Sequence, residues 1–437
     1  MNICMFTNTY LPHVGGVAKS VSMFSEDLMR LGHNVLVIAP TFAGKMLENR
    51  PEEIKRVPAI QNFNGSDFSA RIALPFLLST TINEFRPDII HSHHPYLLGD
   101  AALRTARRHD IPLIFTHHTR YEEYTHYVSM DSQQMRKFVI TLSTNYANLC
   151  NRVIAPSRSI RDLLKKRGVL IPVVEIPTGV DIDFYSKGDS GRFRRHYTIP
   201  EDMPIIGHVG RLAPEKNIPF LARAVSIFLE KNDGVFLVVG GGESKKTVLD
   251  IFRKKGMAHR LIMTGVRNGL ELVDAYSAMD LFVFASRSET QGMVLIEAMA
   301  AETPVVALSA SGVREVMSDR ENGRLLDPES SEIQFAEAME ELAECGNLKH
   351  LFKRNAARTA QHFSRNTCAE KLADLYESAS EEHFRYEPDS NLFASWDKLL
   401  RAISVEWDLI AEKTTALITS FTGGNPPHTQ FRERHKP

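Results

Sequence analysis

Short apolar runs rich in β-branched residues alternate with longer segments of helical period along most of this chain. In the first half the runs are "NICMFT", "NVLVIA", "DIIHS", "PLIFTHH", "RVIAP" and "VVEIP". Between them lie helical stretches such as 17–31, followed by Gly32 where a glycine closes a helix. The second half restarts the alternation with "PIIGHVG", "VFLVVGG", "LIMTG", "LFVFAS", "PVVAL" and "GRLLD". Strand–helix alternation predicts α/β architecture, with parallel sheets doubly wound by helices. Uninterrupted apolar runs suit strands buried on both faces. The polar stretch at 178–204 breaks the pattern and sets a domain boundary near residue 190.

The expected organisation is an N-terminal Rossmann-like domain over 1–190 and a second over 191–363, facing each other across a cleft. A helix over 364–383, within a segment 364–390, returns toward the first domain. A further amphipathic helix, 391–421, precedes a disordered end. Its polar face mixes acids and bases such as Asp397, Lys398, Arg401 and Glu406. Membrane-surface helices usually carry a basic polar face, so packing on the first domain or a partner subunit is favoured.

Length and composition narrow the class. A chain of 437 residues exceeds one compact core, and 43% hydrophobic with 24% charged residues is that of a soluble globular protein. The net charge of -1 gives no global attraction to nucleic acid. The cysteines (Cys4, Cys150, Cys345, Cys368) are scattered, which suits reduced thiols in the cytoplasm. The start "MNICMFTNTY" does not read as a signal peptide, and no apolar run approaches the roughly 20 residues of a membrane span. Contact with a membrane would be peripheral, at the inner face.

Candidate chemistry gathers where strands end, the edge at which open α/β sheets bind ligands. After the first strand, "HVGG" puts Gly15 and Gly16 at a helix start, where backbone N–H groups favour an anion; a plain turn is the bland alternative. After the first strand of the second half, "GRLAPEKN" places Arg211 and Lys216 where two cations can neutralise a diphosphate, or form an ordinary basic loop. The stretch "SETQGMVLIEAMA" sets Glu289 in a loop and Glu297 in the following helix. Gly292 lets the backbone approach a ligand there, and Met293 and Val294 open the helix. Two carboxylates can be the acid and base of a glycosidase, two anchors for a polyhydroxyl ligand, or helix-dipole compensation.

Histidines mark two more strand ends, "HSHHP" at 91–95 and "FTHHTRYEEYTHYV" at 115–128. If 115–128 is helical, His118, Glu122 and His126 share one face as metal ligands would. A carboxylate-bridged centre needs a second such pair, and none is visible, so no metal site is assigned. Asp181 and Asp183 in "VDIDF" are read as turns or caps rather than as metal ligands.

Together these motifs resemble the retaining family-4 glycosyltransferases of the GT-B fold, over about 1–380. The most specific element is the pair Glu289 and Glu297, seven residues between them, preceded by "GRLAPEKN"; "IPTGVD" looks like the family's "NGVD" linker. Within the family, "HTRYEEYTHYV" and "SETQGMVLIEAMAA" look most like bacterial diacylglycerol glucosyltransferases. The resemblance implies that the Gly15-Gly16 loop, Arg211 and Lys216 hold the donor diphosphate, with Gly292, Met293 and Val294 at the nucleotide-sugar site. It implies that Glu297 takes the ribose hydroxyls, Glu289 the sugar hydroxyls, and Val266 and Arg267 the base. His118 matches the family's active-site histidine. The two glutamates then read as anchors on one nucleotide sugar such as UDP-glucose, a co-substrate; no cofactor or metal is implied. "TQG" departs from the family's aromatic-containing loop and puts the sugar contacts in question. The implied acceptor is a lipid hydroxyl, diacylglycerol first, with basic stretches 104–110 and 165–168 toward an anionic membrane. Rival readings are a mannosyl- or N-acetylglucosaminyltransferase acting on a soluble glycan, a nucleotide-sugar epimerase and a non-catalytic binding module.

Overall fold

The computed structural model describes residues 1–12, 15–41, 52–60, 70–71, 78–123, 132–287 and 289–384. The 391–421 helix and the tail expected from the sequence lie outside the described residues, as do His13, Val14, His126 and Ser288. By contact the chain forms two compact units. Unit 1 holds Met1–Ala155, Arg161–Glu175 and the chain from Lys371; unit 2 holds Pro156–Ile160 and Ile176–Glu370.

The strands of unit 1 are β1 (Asn2–Phe6), β2 (Asn34–Pro40), β3 (Glu53–Val57), β4 (Ala59–Ile60), β5 (Ala70–Arg71), β6 (Ile89–Ser92), β7 (Leu113–Thr116), β8 (Arg152–Ala155) and β9 (Val173–Glu175). Seven form one parallel sheet in the order β3-β2-β1-β6-β7-β8-β9, and β4 pairs with β5 apart from it. Unit 2 contributes β10 (Ile205–Val209), β11 (Val235–Val239), β12 (Leu261–Gly265), β13 (Leu281–Phe284), β14 (Val305–Leu308) and β15 (Arg324–Leu326). These form a second parallel sheet, β12-β11-β10-β13-β14-β15. The helices in the first half are α1 (Gly16–Arg30), α2 (Ser79–Phe85), α3 (Leu98–His109), α4 (Gln133–Asn148), α5 (Arg158–Lys166), α6 (Ile182–Tyr185) and α7 (Ser190–Tyr197). The second half adds α8 (Ile218–Lys231), α9 (Lys245–Lys254), α10 (Gly269–Ala278), α11 (Met293–Ala300), α12 (Glu332–Glu344), α13 (Gly346–Gln361) and α14 (Arg365–Phe384).

Two doubly wound parallel-sheet domains are thus the architecture, as the alternation predicts. The physical basis is visible in β10, β13 and β14, every residue of which is buried. Such strands need helices on both faces and lose solvent on both sides. β3 was not foreseen: "EIKRV" is polar because it lies at the sheet edge, with only Val57 fully buried. Gly32 closes α1 with φ +89, and its N–H donates to the Met29 carbonyl. Ser331 and Gln334 form a reciprocal capping box at α12.

The contact boundary falls upstream of residue 190, because Val180 and Tyr185 already belong to the unit 2 core. The Val180 N–H donates to the Phe363 carbonyl at 2.8 Å. Past Lys371, α14 packs on unit 1 with Leu372 and Tyr376 fully buried. The Tyr376 hydroxyl meets His91 Nδ1 at 2.6 Å, Arg152 pairs with Glu382, and the His383 ring reaches the Asp110 carbonyl at 3.0 Å.

Replacing Tyr376 with Phe leaves the buried His91 Nδ1 without its partner. The expected loss is about 1–3 kcal/mol, the cost of an orphaned buried polar group. A lowered urea midpoint with an unchanged slope would show it; an unchanged midpoint would mean that this bond does not fasten α14.

Candidate functional site

Strand order reverses once in each sheet, between β1 and β6 in unit 1 and between β10 and β13 in unit 2. At such a switch point the loops leaving the two strands diverge to opposite faces and open a crevice. Most residues singled out in the sequence sit on the loops leaving these strands or on the helices those loops open, while His118 follows the neighbouring β7 and Val266 and Arg267 follow the edge strand β12.

In unit 2, Arg211 and Lys216 follow β10, and Glu289 and Gly292 follow β13. Lys216 ends a 3-10 turn, Pro214–Lys216, and its ammonium donates to the Glu289 carboxylate. The structure therefore joins two groups that stand 73 residues apart in sequence. Burial alone would raise the Glu289 carboxyl pKa. The Lys216 charge and hydrogen bond, with Ser286 and the Gly292 amide, outweigh burial and hold it below the ordinary value. Arg211 is half-exposed and donates to Glu215 at 2.5 Å. Beneath the loop, His208 is buried on β10, meets the Val283 carbonyl through Nδ1 at 3.0 Å, and is pushed by burial down to about 4.

Gly292 caps α11 at φ +79, a left-handed conformation that other residues rarely adopt. Met293 and Val294 open the helix and are partly exposed. The loop is braced from below by Gly312, whose N–H donates to the Glu289 carbonyl at 3.0 Å. A Cβ on Gly312 would lie 2.5 Å from the Gln291 nitrogen, so only glycine permits this approach. Gln291 turns inward, its amide accepting from the Thr178 N–H at 2.8 Å and donating to the Thr178 carbonyl at 2.7 Å. The "TQG" departure is thus a clamp on the irregular "IPTGVD" segment after β9.

Glu297 does not present the open carboxylate expected one turn into a helix. It is 3% exposed and accepts from the Tyr276 hydroxyl at 2.7 Å and from Tyr185. Burial, with the Glu297 charge, raises both phenol pKa values, so both remain donors. Val266 is 53% exposed just past β12, and Arg267 beside it donates to the Tyr197 hydroxyl at 3.1 Å. Tyr185, Tyr276 and Gln291 were not picked out from the sequence. A tyrosine on the buried face of the apolar segment "LELVDAYSA" was the only available signal.

In unit 1, Gly15 caps α1 and Gly16 opens it, with open space where a Gly16 side chain would lie. The ends of β6 and β7 bring His91, His93, His94, His117 and His118 together. His118 Nε2 meets His93 Nδ1 at 2.9 Å, and the His93 and His91 rings lie 4.0 Å apart. Burial, and then mutual repulsion, pushes His93 and His118 well below the usual imidazole range. His118 and Glu122 do not share a helix, since residues 117–120 are irregular and Glu122 lies in a short 3-10 turn. Glu122 instead accepts from Arg167 at 2.5 Å and Arg120 at 3.2 Å. Asp181 caps α6, accepting from the Phe184 N–H at 3.0 Å. Among the described residues no group of three His, Cys, Asp or Glu side chains is placed to hold a metal ion. No described helix is long and apolar enough to cross a membrane.

Comparison with known proteins follows the same division. Residues 14–184 match the family described as Glycosyltransferase Family 4, and residues 189–359 match Glycosyl transferases group 1. The chain is similar to the alpha-monoglucosyldiacylglycerol synthase of Streptococcus pneumoniae, 30% identical over 74% of this chain and 75% of that protein. It is likewise 30% identical to a GDP-mannose-dependent alpha-mannosyltransferase of Mycobacterium tuberculosis, over 78% of this chain and 88% of that one. The fold matches the crystal structure of Anabaena HepE in complex with UDP, TM-score 0.71 at 21% identity over 86% of this chain and all of that one. It also matches sucrose-phosphate synthase from Thermosynechococcus elongatus, TM-score 0.72 at 20% identity over 87% and 99%.

The ion pair makes a directional prediction. Glu289 titrates below its unfolded value, so its contribution to stability is present above that value and fades as pH falls through the folded pKa. In Lys216→Met only the Ser286 and Gly292 hydrogen bonds still oppose burial, and the Glu289 carboxyl should titrate higher than in the wild type. Carbon-13 NMR of labelled glutamate carboxyls reads this directly. A Glu289 titration unmoved by the substitution would show that Lys216 does not set it.

Proposed function

Because this chain belongs to glycosyltransferase family 4, we propose that it transfers glucose from a nucleotide diphosphate sugar, UDP-glucose first, to a lipid hydroxyl, diacylglycerol first. The transfer retains the anomeric configuration and needs no metal ion. The observation that carries the donor half is the Lys216–Glu289 pair at the β10/β13 switch point, beside the start of α11. It supplies a cation for phosphate, a carboxylate for sugar hydroxyls and backbone N–H groups for an anion within one loop system.

In this reading Lys216 and Arg211 take the diphosphate, together with the α11 start at Met293 and Val294 and the Gly15-Gly16 loop. Glu297 accepts from the ribose hydroxyls in exchange for a tyrosine bond, Val266 and Arg267 meet the base, and Glu289 orients the sugar. His118 at the reaction centre and Glu289 on the sugar are the proposed catalytic residues. The bond from the anomeric carbon to the leaving phosphate oxygen breaks as the acceptor oxygen bonds to the same face. That phosphate oxygen takes the acceptor proton, so no separate base is required. Fixed cations stabilise the charge that grows on the diphosphate, which supports a metal-independent reaction.

The lipid acceptor is supported by the likeness to the pneumococcal alpha-monoglucosyldiacylglycerol synthase and by exposed cations in the last turns of α3 and α5. Arg107, Arg108, Lys165 and Lys166 are exposed there, with Leu170 at 69% exposure, whereas Arg167 is committed to Glu122. Each such cation contributes roughly 1 kcal/mol near an anionic surface and weakens with salt.

Labelled UDP-glucose offered with diacylglycerol in anionic vesicles should give a chloroform-soluble, α-linked product, undiminished by chelator. Label transferred from GDP-mannose alone would overturn the glucose assignment. Product on soluble sugars only would overturn the lipid, and dependence on added magnesium or manganese would overturn metal independence.

Exchanging both Arg211 and Lys216 for Ala should weaken nucleoside diphosphate binding by roughly 3 kcal/mol or more, the loss of two charge-assisted contacts. Glu289→Gln should chiefly lower kcat and Glu297→Gln chiefly donor affinity. Calorimetric titration with steady-state kinetics separates these effects; unchanged diphosphate affinity in the double variant would remove the assignment.

A further inference from the structure

The histidine cluster of unit 1 holds more than the single residue the proposed reaction uses. His118 Nε2 and His93 Nδ1 share one hydrogen bond of 2.9 Å. Both rings are neutral under ordinary conditions, so one proton lies between them, and its owner fixes the tautomer of both. His93 is fully buried, and its other nitrogen, Nε2, has no partner among the described residues. His91 cannot supply one: Nδ1 meets Tyr376 at 2.6 Å and Nε2 meets Thr116 Oγ1 at 2.7 Å, so both ring nitrogens are engaged.

Two arrangements satisfy the shared bond. If His118 donated, His93 would carry its own proton on Nε2 and bury an orphaned N–H. If His93 donates from Nδ1, the buried Nε2 is a bare lone pair. Among buried backbone groups, orphaned N–H donors are rarer than under-used acceptors, and the same preference is applied to the ring nitrogen here. The second arrangement leaves the His118 proton on Nδ1, the nitrogen that His93 does not occupy.

We infer that His93 is a positioning residue that holds His118 in the Nδ1–H tautomer, so that His118 meets its ligand as a hydrogen-bond donor. This rests on the proposed role of His118 and adds its chemical sense. A neutral donor suits an oxygen of the bound sugar or the leaving phosphate, and it does not suit the abstraction of a proton. His93 acts only through His118. Its carboxamide mimic is Asn, whose side-chain nitrogen lies near the place of Nδ1.

The test uses the full chain labelled with nitrogen-15 histidine, with kinetics in parallel. The wild-type spectrum should show His118 protonated on Nδ1. In His93→Leu that signal should shift toward the mixture of tautomers typical of a free imidazole. kcat should fall roughly 10- to 100-fold through lost orientation, with KM for the donor little changed. His93→Asn should restore both the tautomer and most of kcat. A wild-type His118 protonated on Nε2 would overturn the inference, as would a His93→Leu enzyme with wild-type spectrum and kcat. If His93→Leu is unfolded, the His93→Asn and wild-type spectra decide alone, since both must show the Nδ1 proton. Full activity in His118→Ala would instead sink the proposed role of His118, while the tautomer measurement would still stand or fall on its own.

Discussion

A parallel strand cannot return to its neighbour by a tight turn; it must cross over, usually through a helix. Every strand of such a sheet therefore ends at the same edge. In both units all principal strands are parallel, so the loops carrying Arg211, Lys216, Val266 and Glu289 leave one edge of one sheet. The loops carrying Gly15, His93 and His118 leave one edge of the other. Reversal of strand order then separates neighbouring loops at one place in each sheet. The chemistry follows from that constraint, because residues remote in sequence are delivered to a common rim while the strands below remain apolar and rigid.

On that rim the polar groups are tied down before any ligand arrives. Lys216 holds Glu289 ionised despite burial, two phenols hold Glu297, and Gly312 supports the loop backbone at hydrogen-bond distance. Groups fixed in a low-dielectric setting need little reorganisation when charge develops on a leaving group. In the proposed reading binding requires exchange of partners, with the Lys216 ammonium shared between the carboxylate and phosphate. The histidines of unit 1 solve the opposite problem. Packed together and buried, they lose their charge and serve as a neutral network.

What the sequence revealed depended on how local the determining physics is. Nine of the twelve strands read from the sequence are buried along nearly their whole length, and such burial demands uninterrupted apolar runs. The edge strands β9, β12 and β15 are only partly buried yet keep an apolar run, whereas β3, also at an edge, carries "EIKRV" and sends no such signal. The site loops were legible because glycines, cations and acids stood directly after apolar runs. Partners were not. Lys216 and Glu289 lie 73 residues apart, His93 and His118 25, and Tyr276 and Glu297 21, and nothing in either segment announces the other. The inward turn of Gln291 depended on Thr178, 113 residues away. The helical alternative for 115–128 is not met in its described part, where 117–120 are irregular and Glu122, paired with Arg167, lies in a 3-10 turn.

The central claim is that the strand-end loops of unit 2 hold the nucleotide sugar. Hydrogen exchange measured by mass spectrometry, with and without saturating UDP-glucose, tests it across the whole chain at once. The account predicts slowed exchange in the segments covering 210–217, 265–268 and 289–297, with the buried strands beneath them unchanged. Saturating donor that leaves those three segments exchanging as in the free protein, or protects a different edge of the sheet, would contradict it.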